Sequence, residues 1–210
     1  TILEEEGTLA KYMFIILLND SVRGPFLPAY VQQNWVQLFT SRISDTIKLV
    51  GVTVNCAGPS SNDWELAAKD TAEPVPLNVF PIFHLQSVLL VTDQQGLAAI
   101  RPLFKCMASK NAIIKQMERQ VVASVIRQGF GVEGTMMRWA GLDVRNASHV
   151  MHACKDTLPK GGDPYWPSPH GVGGVEVHPL ELVFFKTNRD VRQREVMRYT
   201  EWLDYASDNW

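Results

Sequence analysis

Apolar residues fall in short runs that predict buried strands. The first run covers residues 12–18, is rich in β-forming residues at its centre and closes on a polar turn. Two more runs cover residues 47–55 and 80–92. Apolar residues on both faces of a strand are typical of parallel strands buried inside a sheet. A last strand region is predicted over residues 175–186, where His178-Pro179 breaks or bulges it.

Helical spacing of apolar residues predicts helices between these runs. They cover residues 30–46, 93–104, 110–128 and 190–210. The 110–128 segment has the clearest apolar stripe, and Gly129 stops it. Thr92 or Asp93 is the expected N-cap of the 93–104 helix.

Two segments predict long loops between the regular elements. Residues 57–80 are rich in Pro, Ser, Asn and Asp, with one turn of helix expected near residues 64–69. Residues 155–174 are dense in Gly and Pro. The alternation of strands and helices predicts one α/β domain over residues 1–210.

Composition excludes several classes of protein. The chain has 210 residues, of which 46% are hydrophobic, and a formal net charge of −2. A nucleic-acid-binding protein would normally carry a basic face, so the slightly negative net charge argues against that class. No apolar run reaches the length of about 18 residues that a membrane span needs. The chain does not begin with Met, and its first residues are typical of the interior of a longer protein, so we expect a fragment.

Short catalytic motifs exclude further classes. The chain has no GxSxG elbow of a serine hydrolase, no GxxxxGK[ST] phosphate loop and no GxGxxG after a strand. We therefore do not expect a serine hydrolase, a P-loop nucleotide hydrolase or a dinucleotide-binding enzyme.

The three cysteines, Cys56, Cys106 and Cys154, are far apart and show no CxxC spacing, which argues against a zinc site. Because three is odd, at least one thiol is free or pairs outside the chain, and the redox compartment stays open. Two N-glycosylation acceptor sequences are present. Asn19-Asp-Ser lies in the turn discussed next and is discounted, whereas Asn146-Ala-Ser has meaning only in a secretory lumen.

The polar turn after the first strand, Asn19-Asp20-Ser21, is the leading candidate for a binding site. In open α/β sheets, ligands bind beyond the carboxyl ends of the strands. Arg23 follows and suits phosphate or carboxylate groups, and Gly24 allows the backbone to approach a ligand closely. The alternative is an ordinary capped turn with a solvated Asp20 and a surface Arg23.

Four motifs in order carry a resemblance to a known family. They are YMFIILLNDSVRGPFLP, FTSRISDTIKLVGVTVNC, HLQSVLLVTDQQGL and GVEVHPLELVFFKTNR. Their order and spacing, from about Tyr12 to Arg189, resemble a family of glycosyltransferase-like proteins, eukaryotic relatives of the rhamnan-synthesis type of polysaccharide enzymes. The resemblance implies a GT-A-like fold: a mixed, mostly parallel sheet flanked by helices. GT-A domains begin with a βαβ unit that holds the nucleotide base, and from the resemblance we expect residues 1–210 to lack that unit.

The resemblance also implies a nucleotide-sugar donor and a divalent metal, Mn²⁺ or Mg²⁺. Asn19-Asp20-Ser21 stands where GT-A enzymes carry a DxD motif, but it has a single carboxylate, which weakens the expected metal site. His178 is the expected further metal ligand, because GT-A enzymes often supply a histidine late in the chain. The alternative for His178 is a structural turn residue before Pro179.

Transfer of a sugar to a hydroxyl needs a base if the enzyme inverts the anomeric centre. Glu118 matches the acidic residue that the resemblance places at the start of the helix after the acceptor strand, and Asp143 is the alternative base or an acceptor ligand. The structural alternative for Glu118 is a solvated helix residue.

Four residues are expected to bind substrate. Asn55 ends the second strand, His84 and Gln86 would line the acceptor side, and Trp139 could stack on a sugar. A buried, backbone-bonded His84 and a core Trp139 are the alternatives.

Two functions remain open at this stage. The first is a nucleotide-sugar-dependent glycosyltransferase that acts on a glycan or glycoprotein acceptor, with no nucleic-acid partner. The resemblance places such an enzyme in the secretory pathway, in the Golgi lumen. The second is a non-catalytic carbohydrate- or protein-binding module derived from a glycosyltransferase, which the single carboxylate at Asp20 favours.

Overall fold

A computed structural model of the chain describes residues 7–57, 82–155, 163–189 and 192–209. The fold is mixed α/β, with a four-stranded mixed sheet flanked by helices. The strands are β1 (Phe14–Leu18), β2 (Val22–Arg23), β3 (Ile47–Gly51), β4 (Val54–Ala57), β5 (Ile82–Leu85), β6 (Leu89–Asp93), β7 (Gly131–Gly134) and β8 (Phe185–Lys186).

The helices are α1 (Trp35–Thr40), α2 (Gln94–Ile100), α3 (Lys110–Ile113), α4 (Arg119–Arg127), α5 (Ala147–Lys155), α6 (Pro179–Leu182) and α7 (Gln193–Asn209). A π-helical segment, Ile114–Glu118, joins α3 to α4 without a break. Single 3₁₀ turns occur at Leu9–Lys11, Arg101–Leu103 and Met137–Trp139. The four predicted helices are thus confirmed in the described residues, although α1 is shorter than predicted.

The central sheet has the strand order β1-β6-β3-β7. β6 pairs antiparallel with both β1 and β3, and β3 pairs parallel with β7. The expectation of a mostly parallel sheet is therefore wrong for the described strands. A strand covered on both faces is apolar on both faces whichever way it runs, so the composition indicated burial but not direction.

Two predicted strands are each split by a bend. The 47–55 run forms β3 and β4, with buried Val52 and Thr53 between them, and the 80–92 run forms β5 and β6. β4 and β5 pair antiparallel as a separate two-stranded sheet. A hydrogen bond from Gln86 N to Thr53 O, 2.9 Å long, continues the pairing through the bend. The first bend is fully buried, whereas the second carries the polar residues Gln86 and Ser87, of which Ser87 is half-buried.

The predicted strand over residues 175–186 is wrong for most of its length. His178 caps a single helical turn, α6, in which Pro179 takes the first position that suits its fixed φ. Within residues 175–186 only β8 forms a strand, which pairs antiparallel with β2, while Val175 forms an isolated bridge with Val172. β7 was not predicted, because its sequence GVEG has two glycines, which are poor strand formers.

The structural predictions for residues 57–80 and 64–69 lie outside the described residues except at residue 57. In the 155–174 segment, the described residues 163–174 form turns. No helix among the described residues is long and apolar enough to cross a membrane.

A disulfide joins Cys56 in β4 to Cys154 in α5 across 98 positions of sequence. Both cysteines are buried, whereas Cys106 is exposed and free. The bridge ties the β4–β5 ribbon to a helix that follows β7, so it links the two halves of the chain.

Candidate functional site

Three strands of the central sheet end at one edge. β1, β3 and β7 all run in the same direction, because β1 and β3 are both antiparallel to β6 and β3 is parallel to β7. Asn19 follows β1 directly, and its backbone N–H donates to Val88 O, 3.0 Å away, just before β6 begins. This carboxyl edge is where α/β sheets commonly place a ligand.

A cavity of about 490 Å³ lies against this edge. Its apolar wall comes from β1, the β5–β6 region, Phe104 and the 110–127 helical run. Its polar residues are Asn19, Ser87 and Glu118. A mostly apolar cavity with a few convergent polar groups is the usual form of a small-molecule site.

Glu118 reaches this cavity from the end of the π-helical segment. π-Helical segments inside α-helices are rare and occur frequently at functional sites. Within the described residues, the Glu118 carboxylate forms no hydrogen bond or ion pair. It is therefore a half-buried acceptor that is open to a ligand.

Charged side chains gather beside Glu118. The charges of Asp163, Glu118, Arg189 and Lys110 act on Lys186. We use the name charged cluster for Glu118, Asp163, Lys186 and Arg189. Burial lowers the pKa of Lys186, and the charges of Asp163 and Glu118 oppose that fall. Lys186 Nζ lies 5.8 Å from the centre of the Tyr165 ring and forms no ion pair with the described residues. Its ammonium is therefore available to an anion.

Asp163 is held in place by short contacts within the same region. Its Oδ1 accepts hydrogen bonds from Tyr165 N at 2.9 Å and from Gln86 Nε2 at 3.3 Å. Burial raises the pKa of Asp163, while the Tyr165 hydrogen bond and the charges of Lys186 and Arg189 oppose that rise. Burial, neighbouring charge and a nearby cavity are together typical of functional sites.

The turn after β1 is fastened to the strand that carries Lys186. β2 and β8 pair so that Val22 lies opposite Lys186. Ser21 O also accepts from Thr187 N at 2.9 Å and from Thr187 Oγ1 at 3.1 Å. The pairing therefore fixes the Asn19–Ser21 turn relative to the charged cluster.

The structure brings some of the predicted site residues together. Asn19 and Glu118 share the cavity, and Gln86 contacts the charged cluster through Asp163. Asp20 and Arg23 are exposed on the turn beside them.

Gly24 has a packing role at the end of this turn. Its φ is +145°, and a Cβ at this position would lie 2.4 Å from Val183 O. The close approach predicted for Gly24 is thus to the protein's own backbone.

Asp143 lines a different cavity from Glu118. It shares a second cavity, of about 300 Å³, with Ile47 and Val132, at the amino ends of β3 and β7. Asp143 Oδ1 is 2.9 Å from Arg145 Nε, and that hydrogen bond holds the pKa of Asp143 below its ordinary value. Of the two predicted bases, Glu118 alone lines the carboxyl-edge cavity.

The remaining predicted substrate residues are mostly internal. Trp139 is 1% exposed, donates from Nε1 to Thr53 Oγ1 at 3.1 Å and packs edge-on against Phe83. Its ring therefore belongs to the core, as the alternative interpretation held. Asn55 and buried His84 are cross-strand partners in the β4–β5 ribbon.

The residues expected to hold a metal do not form a matching set of ligands. Asn19 Oδ1 already accepts from Ser21 N at 2.9 Å and Ser21 Oγ at 2.7 Å. His178 Nδ1 accepts from Leu180 N at 3.2 Å and so caps α6. Asp20 is then the one carboxylate of the turn. No group of three or more His, Cys, Asp or Glu side chains suited to a metal occurs in the described residues. Mg²⁺ and Mn²⁺ require several hard oxygen ligands, which this turn does not supply.

Sequence reasoning missed Asp163, Lys186 and Arg189. Asp163 lies in a Gly- and Pro-rich segment that predicts only a surface loop. Lys186 had a usable signal, because a polar residue directly after the apolar run Leu182–Phe185 is the same pattern that singled out Asn19.

Comparisons of this chain with protein-family models, with curated proteins and with solved structures give no match. The resemblance carried by the four sequence motifs is therefore a prediction, and function has to be argued from the site itself.

Proposed function

We propose that this chain is a GT-A-like, nucleotide-sugar-dependent glycosyltransferase domain that acts on a glycan or glycoprotein acceptor. One observation carries the proposal. The open carboxylate of Glu118 and the turn residue Asn19 line the same cavity, at the carboxyl end of β1. That position is the one that α/β nucleotide-binding proteins use.

In this proposal Glu118 is the general base. It accepts the proton of the acceptor hydroxyl as that oxygen bonds to the anomeric carbon and the bond to the diphosphate breaks. Positive charge develops on the sugar in this step, and negative charge develops on the departing diphosphate. Substrates bound against the mostly apolar wall of the cavity would displace water, which competes with the acceptor.

Lys186 and Arg189 are proposed to stabilise the charge on the diphosphate, in place of a divalent cation. Lys186 is half-buried and forms no ion pair with the described residues, so an anion would not have to displace a carboxylate. The charge of Asp163 supports the protonated form of Lys186, and Asp163 is itself oriented by its hydrogen bonds from Tyr165 N and Gln86 Nε2. In a partly dry site, a charge-assisted hydrogen bond to phosphate is about twice as strong as a neutral one.

The test compares Glu118→Gln with Glu201→Gln, a matched change at an exposed position of α7. Transfer from a nucleotide sugar is expected to fall by about 10²–10⁴-fold in Glu118→Gln, the usual contribution of a general base. Donor binding should persist in Glu118→Gln. Glu201→Gln should keep both the wild-type transfer rate and wild-type donor binding. If Glu118→Gln transfers sugar at the wild-type rate, Glu118 is not the base.

A non-catalytic binding module is the second candidate. Its support is that nine of the twelve residues lining the cavity are apolar. Such a lining suits the binding of a ligand more than proton transfer to or from it. A module of this kind would bind a carbohydrate or protein partner and show no transfer with any donor. In that case Glu118→Gln would change the affinity for the partner and leave no rate to measure.

We also propose a secretory compartment for the chain. The support is the Cys56–Cys154 disulfide, since disulfides persist in oxidising compartments and are rare in the cytosol.

A further inference from the structure

Asn146 begins an N-glycosylation acceptor sequence, Asn146-Ala147-Ser148, directly before α5. Asn146 and Ser148 are both exposed. The acceptor sequence is therefore presented at the surface, where glycans are carried.

The side chain of Asn146 caps α5 in a way that leaves its nitrogen open. Asn146 Oδ1 accepts from Ser148 N at 3.0 Å and from His149 N at 3.3 Å. N-glycosylation forms a bond at Nδ2 and keeps the carbonyl oxygen, so the cap and the glycan use different atoms. A sugar on Asn146 is thus compatible with the helix that the residue caps.

The other acceptor sequence has the opposite environment. Asn19 is half-buried, lines the carboxyl-edge cavity and is fixed by its backbone hydrogen bond to Val88 O. Its Oδ1 accepts from both the backbone and the hydroxyl of Ser21. A glycan at Asn19 would have to fit within the cavity edge, whereas a glycan at Asn146 has open solvent around it.

The position of Asn146 also keeps a glycan away from the candidate site. Asn146 N donates to Asp143 O at 3.1 Å, and Asp143 lies at the amino ends of β3 and β7. The cavity lies at the opposite, carboxyl edge. A glycan on Asn146 would therefore leave Glu118 and the charged cluster accessible.

The disulfide supplies the second, independent observation. Cys154 lies in the same helix that Asn146 caps, and its bridge to Cys56 is the kind that forms in oxidising compartments. In eukaryotes, the lumen that oxidises cysteines is also the compartment that glycosylates asparagine.

From the exposed Asn146 cap and the Cys56–Cys154 disulfide, we infer that Asn146 carries an N-linked glycan and that Asn19 does not. The donor is an oligosaccharide linked through diphosphate to a lipid. Asn146 Nδ2 bonds to the anomeric carbon of the sugar, the bond from that carbon to the diphosphate oxygen breaks, and Nδ2 loses one proton. This inference concerns a modification of the chain; it does not depend on the transferase activity proposed above, but it rests on the secretory compartment proposed there.

One digest tests both halves of the inference. Residues 1–210 are expressed behind a cleavable secretion leader in eukaryotic cells, and all lumenal material is collected, secreted or retained. Trypsin without reductant releases residues 146–155, which contain both Asn146 and Cys154, joined to residues 49–69, which contain Cys56. The glycan is removed enzymatically from the intact, denatured protein before the digest, because trypsin leaves Asn146 at the N-terminus of its peptide, where the deglycosylating amidase does not act. The removal converts a glycosylated Asn to Asp and so marks the site by mass.

The expected result is one glycan, on the disulfide-linked 146–155 peptide. Asn146→Gln and Ser148→Ala should abolish it, and Ser148→Thr and Asn19→Gln should keep it. Lumenal protein without a glycan at Asn146 would overturn the inference, as would a glycan at Asn19. Glycosylated protein that lacks the Cys56–Cys154 bridge would refute the claim that the glycan and this fold coexist.

Discussion

Removal of the disulfide is the perturbation whose size follows most directly from the structure. Cys56→Ala/Cys154→Ala opens a loop of 98 positions in the unfolded chain. The entropy of closing a loop of that size corresponds to about 4.7 kcal/mol of stability. With a denaturant dependence of about 2–3 kcal/mol per molar urea, the unfolding midpoint should fall by roughly 2 M.

The assay is urea unfolding followed by tryptophan fluorescence, with the wild-type protein fully oxidised. Cys106→Ala is the matched control, because Cys106 is exposed and free, and it should leave the midpoint unchanged. Either single variant, Cys56→Ala or Cys154→Ala, should lose about as much stability as the double variant, since one missing sulfur removes the whole cross-link. An oxidised wild-type protein that unfolds at the same midpoint as the double variant would refute the assigned pairing.

The other predictions concern buried charge and the proposed chemistry. Lys48→Met should lower the free energy of unfolding, measured in urea, by about 3 kcal/mol, because it leaves the carboxylate of Asp93 without its charged partner. Asp93 Oδ2 lies 2.7 Å from Nζ of the nearly buried Lys48. Adding Asp93→Asn to that variant should restore part of the lost stability, and a double variant no more stable than Lys48→Met would contradict the Lys48–Asp93 ion pair. Asp163→Asn should raise stability at neutral pH, because burial raises the pKa of Asp163 and makes its ionised form costly. That gain should vanish at about pH 4, as the wild-type carboxyl becomes protonated, and a gain independent of pH would argue against ionisation as its cause. Lys186→Met should weaken nucleotide-sugar binding, whereas Lys11→Met, at an exposed position, should not; equal binding by both variants would remove Lys186 from the site.

The periodic helices were predictable because their evidence is local. The stripe over residues 110–128 and the Asp93 cap each depend on neighbouring positions. Asp93 Oδ1 accepts from Gly96 N at 2.9 Å, as a cap should. Strand direction and the bends at Thr53 and Ser87 depend on pairing partners far away in the sequence, which apolar runs do not encode.

In the candidate site, too, the residues with a local signal in the sequence were predicted and those brought together by distant segments were not. Asn19 was found because polar residues after a buried strand mark the carboxyl edge of a sheet, and Glu118 came from the resemblance. Asp163 and Lys186 are 23 positions apart in the sequence, and their charges interact only once the chain has folded. The cysteine pairing was likewise open, because three thiols permit more than one bridge and only the fold places Cys154 beside Cys56.

Donor binding by the wild-type chain is the most direct test of the central claim that the carboxyl-edge cavity holds a nucleotide sugar. A panel of nucleotide sugars is measured by thermal shift, with and without Mn²⁺, on wild type and on Lys186→Met. A donor at about 100 times its dissociation constant should stabilise the fold by roughly 2.7 kcal/mol. We predict such a shift for the wild-type chain without added metal, and its loss in Lys186→Met. A well-folded protein that no donor stabilises would contradict the account, and a shift that needs Mn²⁺ and survives Lys186→Met would assign the diphosphate to a metal instead.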